Sequence, residues 1–203
     1  MFLLAVALAA STAVLAAAPM ELVSRAGSFK RMSTTVSTKG APISTADFTA
    51  AILDCERYPM SASYMGVKAL LECRTLEKRS DGYSVVYQRT GGNALVGSRQ
   101  YVIALKVTEQ SETRAKIEWD LVKHIGGNGA PFAGPYATAL NAHTDAVYTP
   151  FNTGSWIYDK SAGTVSYSAQ SDPGGTVPGW LVSQDAVMAF PLELLKVRWG
   201  VTP

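Results

Sequence analysis

The chain has 203 residues, of which 47% are hydrophobic and 17% charged, and its mean hydropathy is close to zero. That length suits one domain with a substantial core, and that composition excludes an intrinsically disordered chain. The formal charge is +2, from 18 basic and 16 acidic residues, without the basic excess that a nucleic-acid surface needs.

Residues 2–18 are uncharged and built largely from Ala, Leu and Val. They read as the apolar core of a secretory signal peptide, so residues 1–18 are expected to be removed and 19–203 to form the mature domain. Val14-Leu15-Ala16 and Ala16-Ala17-Ala18 offer small residues for cleavage. The run is shorter than the roughly 20 apolar residues of a membrane span, and no Lys or Arg precedes it. The expected location is the bacterial periplasm or the extracellular medium.

Residues 28–37 alternate weakly and predict a first strand, broken at Gly40-Ala41-Pro42. Ser44, with Asp47 three residues on, predicts a helix start. Phe48, Ala51, Ile52 and Cys55 then recur at helical spacing, and Tyr58-Pro59 ends the element. Residues 61–65 read as a further short helical turn. A run of strands follows at 67–78, 82–89, 98–108 and 114–123, with turns at Ser80-Asp81-Gly82 and Thr90-Gly91-Gly92-Asn93. Ile117, Trp119 and Leu121 against Lys116, Glu118 and Asp120 give a clean period of two. Residues 123–152 are rich in Gly, Ala, Pro and Asn, with a candidate helix within 135–147. So long an insert reads as a functional lid or as a plain insertion. Two more strands, 154–159 and 164–171, precede a long amphipathic helix at 180–199, which Pro191 is expected to kink or split. A twisted antiparallel sheet curves, and a helix laid across its hollow side leaves a trough unfilled. The element order therefore predicts an internal cavity.

Residues 154–182 carry a resemblance. Gly154-Ser155-Trp156 lies in a strand, and Asp172-Pro173-Gly174-Gly175 is followed by Val177-Pro178-Gly179-Trp180-Leu181-Val182. This passage, together with Pro191, Leu194 and Leu195 after it and Gly97-Ser98-Arg99-Gln100-Tyr101 before it, resembles the START family. These are the steroidogenic-acute-regulatory-related lipid-transfer domains of the wider helix-grip (SRPBCC) superfamily. The match is spread over residues 43–201. It implies an α+β helix-grip fold: a curved antiparallel sheet of about seven strands wrapped around a long C-terminal helix, with an internal cavity. It also implies a lipid or other apolar small molecule as partner, with transient membrane contact, and a monomer.

For chemistry the chain offers little. Cys55 and Cys73 form a disulfide or remain two separate buried thiols; the sequence leaves both open. With His124 and His143 they do not make a zinc-type cluster. No Gly-x-Ser-x-Gly elbow is present, and Gly126-Gly127-Asn128-Gly129 lacks the Lys of a phosphate loop. Lys30-Arg31 and Lys78-Arg79 read as solvated surface. Arg99 starts a strand on the side of Tyr101 and Ile103, either entering a cavity to meet a ligand hydroxyl or carboxylate, or standing on its rim. Tyr and Trp pair apolar area with one polar tip. The candidate ligand contacts are therefore Tyr87, Arg99, Tyr101, Trp119, Trp156, Tyr158, Val187, Phe190 and Leu194, set against ordinary core packing. The leading expectation is a non-enzymatic lipid carrier, with no cofactor, holding a sterol, fatty acyl chain or phospholipid. Its rivals are a polyketide-cyclase-like or hydrolytic enzyme using Arg99, Tyr101 or His124, and a ligand-free subunit of an envelope complex.

Overall fold

A computed structural model describes residues 19–23, 30–38, 41–91, 97–127, 129–175 and 183–201. The expected signal peptide, the Gly40 break, the Gly92-Asn93 turn and the Val177–Val182 passage with Trp180 lie outside them.

The elements in chain order are β1 (Met32–Ser37), α1 (Thr45–Leu53), a 3-10 turn (Cys55–Arg57), β2 (Ser63–Tyr64), β3 (Val67–Lys68), β4 (Glu72–Lys78), β5 (Tyr83–Gly91), β6 (Ser98–Gln110) and β7 (Arg114–Leu121). Then come β8 (Ile125–Gly127), β9 (Ala130–Ala133), α2 (Ala137–Asn141), β10 (Val147–Tyr148), β11 (Phe151–Asp159), β12 (Thr164–Asp172) and α3 (Gln184–Trp199). Seven strands pair antiparallel in the order β1-β12-β11-β7-β6-β5-β4. Short β10 adds in parallel to the start of β6, beyond the end of β7, through Val147↔Arg99 and Tyr148↔Gln100. Register shifts at Thr75/Glu77 and Val107/Glu109 mark bulges, which raise local twist and bend a sheet. This is the expected α+β fold.

Period two divides the sheet into an inner face, under α1 and α3, and an outer face. At one end the inner face is packed solid. Phe48 of α1 lies 5.2 Å from Tyr158, 5.8 Å from Trp199 and 6.3 Å from Trp156, ring centre to ring centre. The Ser44 side chain accepts from the Asp47 N–H at 3.0 Å and starts α1 where the sequence put it. α3 is capped the same way, Ser183 accepting from the Ala186 N–H. It runs unbroken through Pro191, so the proline costs one backbone bond without splitting the helix.

Three expectations are corrected. Residues 61–65 are not helical: β2 and β3 form a hairpin whose turn, Met65 and Gly66, has positive φ at both residues (48° and 77°), a geometry that suits a two-residue turn and not a helix. The strand expected at 67–78 is interrupted, and Leu70, not Leu71, is buried. Arg79 is not solvated. Its side chain is 7% exposed, paired with Asp81 at 3.0 Å and Glu77 at 3.8 Å. Of the two readings left open for the insert, the plain insertion fits its middle: α2, β9 and Tyr136 pack on the outer face with Val85, Tyr87, Val102, Ala104 and Val122, and only its end, at Thr149 and Asn152, reaches the cavity. Its middle is held on the outer face by Gln100, which donates to His143 O at 2.9 Å, while Asn141 ties α2 to β9 by bonding both the N–H and the carbonyl of Phe132.

Cys55 and Cys73 are joined in a disulfide, with Cα atoms 5.6 Å apart. The bond ties the turn after α1 to the edge strand β4. No helix among the described residues is long and apolar enough to cross a membrane.

Candidate ligand cavity

The other end of the inner face is hollow. A partly enclosed cavity of about 240 Å³ lies between the sheet and the first half of α3. Tyr101, Ile103 and Leu105 of β6, Trp119 of β7, Trp156 of β11, and Tyr167 and Ala169 of β12 form its floor. Ala186, Val187 and Phe190 roof it, and Tyr58, Tyr64, Val67 and Leu70 close one side. Three floor aromatics hold one another in place. Trp119 and Tyr167 stack at 5.5 Å, and Trp156 meets Tyr167 edge-on at 4.6 Å. Gly154 permits this: a Cβ there would stand 2.2 Å from the Trp119 ring and 2.3 Å from Ser168 O. Only glycine lets that indole lie flat against β11.

Polar groups gather on one side. Trp119 Nε1 donates to Asn152 Oδ1 at 2.9 Å. The side chains of Asn152 and Thr90 face the Tyr101 hydroxyl and pull its pKa down against burial. Burial pushes the Tyr101 and Tyr167 phenols well above their ordinary range, so both are neutral donors at physiological pH. Gln88 lines the cavity and reaches Cys73 Sγ at 3.3 Å. Arg99 is 8% exposed. Its Nε donates to Pro173 O at 3.4 Å and its Nη1 to Gly97 O. Burial lowers its pKa. Among the described residues the lining contains two cationic residues, Arg99 and Lys68, and no Asp or Glu.

Six of the nine candidate residues line this cavity: Arg99, Tyr101, Trp119, Trp156, Val187 and Phe190. Three do not. Tyr87 points to the outer face, where its hydroxyl bonds Gln100 Oε1 and its ring stacks on His143. Tyr158 is on the inner face but two residues past Trp156, under α1, with its hydroxyl on Ile43 O at 2.8 Å. Leu194 sits one helical turn beyond Phe190, in the solid core. The sequence reading passed over Tyr58, Gln88, Asn152 and Tyr167, all cavity-lining. Tyr167 was findable, because it alternates with Val165 and Ala169. Of the two histidines neither lines the cavity: His124 lies between the carbonyls of Val122 and Pro135, and His143 pairs with Glu72 at 3.1 Å.

Solved structures share this architecture. A STAR-related lipid transfer protein from Xanthomonas axonopodis matches over 89% of this chain and 97% of its own, at 16% identity and a TM-score of 0.51. Human STARD10 matches over 88% and 71%, at 14% identity and a TM-score of 0.57. This is the START fold. The lipid transfer and protein localization domain of human StarD13 (DLC2) matches likewise, over 88% and 81%, at 12% identity and a TM-score of 0.54. No protein-family model and no curated protein matches the chain in sequence. The START resemblance read from the sequence therefore holds for the fold, at no more than 16% identity to these structures.

Proposed function

We propose that this protein binds, and carries between membranes, a lipid-like molecule held in the cavity beneath α3. The observation that carries the reading is the hollow half of the inner face, floored by aromatics and roofed by Val187 and Phe190, with its polar groups on one side. Such a cavity suits a mostly apolar ligand with one polar end. Area removed from water stabilises the complex by about 25 cal/mol per Å² before the costs of binding. The START architecture, shared with solved proteins named for lipid transfer, supports the same reading.

The protein acts as a monomer, without catalysis, in transient contact with a membrane. The enzyme alternative asked for Arg99, Tyr101 or His124 as acid or base, with polar groups converging inside the pocket. Arg99 and Tyr101 line the cavity and His124 does not; phenol and guanidinium are both proton donors at neutral pH, and no His, Asp or Glu stands beside them in the described lining to serve as base. The disulfide and the apolar run at 2–18 support an exported protein, since disulfides persist in oxidising compartments.

The test is to purify the mature chain without reductant, extract it with organic solvent and analyse the extract by mass spectrometry. One amphiphile per chain is expected. An empty protein that also takes up no fluorescent lipid would overturn the proposal.

A further inference from the structure

Arg99 is the side chain whose position nothing else in the fold accounts for. It is almost wholly buried and lines the cavity. A guanidinium offers five N–H donors, and Arg99 uses two, both on carbonyl oxygens, those of Pro173 and Gly97. Among the described residues no carboxylate pairs with it. Every Asp and Glu of the chain lies in the described segments, so the remaining segments hold no such side chain to neutralise it. A buried cation without a counter-charge is unfavourable unless something else supplies the charge. Everything around it keeps that charge unanswered. The described lining contains no Asp or Glu, and a second cationic residue there, Lys68, adds to the positive potential. Thr90, Tyr101 and Asn152 provide neutral hydrogen-bonding groups beside it. Arginine's planar fork matches carboxylate and phosphate oxygens.

The cavity's size adds a second constraint. At about 240 Å³ it falls below the roughly 300–1,000 Å³ of pockets that enclose drug-sized ligands. A space this small favours one chain over two.

We infer that the ligand is a single-chain anionic amphiphile whose carboxylate or phosphate head rests on Arg99 while its chain runs between Trp119, Trp156 and Phe190. This inference rests on the carrier reading above and narrows it. The head replaces the missing counter-charge, and the two carbonyl bonds hold the guanidinium ready for it.

The test titrates delipidated protein with four probes: palmitate, hexadecyl phosphate, hexadecanol and dipalmitoyl phosphatidate. Palmitate, hexadecyl phosphate or both should bind one per chain, roughly 10- to 100-fold tighter than hexadecanol; the tighter of the two identifies the head. Arg99→Gln should abolish that margin, whereas loss of a merely structural clamp would weaken all the probes alike and leave the margin in place. Arg99→Lys, which keeps the charge but not the fork, should restore part of the margin. Should Arg99→Gln not fold, the wild-type margin and Arg99→Lys decide. Equal affinity of the wild type for palmitate, hexadecyl phosphate and hexadecanol would overturn the anionic head and leave the carrier reading standing. Phosphatidate binding as tightly as the single-chain anions would overturn the single-chain limit. Failure of all four probes to bind would overturn the carrier reading itself, because hexadecanol needs only the apolar cavity.

Discussion

The two faces of the sheet carry similar side chains and use them in opposite ways. On the outer face Tyr87 is fully covered, stacked on His143 and bonded to Gln100, and the insert fills the space around it with Ala139 and Leu140. On the inner face Tyr101, one strand away, stands at the wall of an unfilled space, and α3 bridges that space without entering it. Where the insert covers β5 and β6, the outer face is thus core in the ordinary sense, while half of the inner face is a container. Aromatic content does not separate the two. What separates them is whether the covering element follows the sheet, as the irregular insert does, or spans it, as a straight helix must.

Substitutions should therefore divide by face. The largest effect is expected from Leu140→Ala, which empties a fully buried outer-face position. It should lower unfolding free energy by about 2–5 kcal/mol in urea titrations and leave ligand stoichiometry unchanged. Replacing both Cys55 and Cys73 by Ser removes a cross-link with a sequence separation of 18. That should cost about 3 kcal/mol, and reductant should bring the wild type down to the same level. A pair of isosteric changes sharpens the contrast. Tyr87→Phe should cost about 1 kcal/mol through loss of the Gln100 bond without altering ligand affinity, whereas Tyr101→Phe should change ligand affinity measured by titration.

The smallest effect concerns pH. Burial holds the His124 imidazole below its ordinary value, against the opposing pull of the Pro135 and Val122 carbonyls. The folded state thus binds fewer protons here than the unfolded chain. This contribution to stability is complete above the unfolded value of about 6.5 and is lost as pH falls through it toward the folded value. His124→Gln should flatten the decline of the urea midpoint between pH 7 and pH 5. An unchanged slope would remove His124 from the account.

Much of this was readable in the residues. The Ser44–Asp47 start of α1, the alternation of β6 and β7, and the element order that implied a hollow all follow from local chemistry and period. Tyr87 was not readable, because β5 is covered on both faces. Val85, Val86, Tyr87 and Gln88 are all buried, so the apolar pattern no longer tells which side a residue takes. The hairpin at Ser63–Lys68 was missed because its turn needs Met65 in a left-handed conformation, for which methionine gives no signal. Nothing in residues 123–152 states which face they cover; that is fixed by contacts distant in sequence, such as Arg79 with Tyr136 at 3.4 Å. The charge of Arg99 was legible, but that only carbonyl oxygens, and no carboxylate among the described residues, meet it became visible only in three dimensions.

The central claim is that the ligand lies between α3 and the sheet, and filling that space tests it most directly. Val187→Trp and Ala169→Phe each place new bulk in the cavity, and neither side chain belongs to a hydrogen bond or ion pair named above. With palmitate and hexadecanol titrated against both variants, binding should disappear while the thermal midpoint stays level or rises. Variants that remain folded and bind either probe as tightly as the wild type would contradict the account, since the ligand would then have to sit elsewhere.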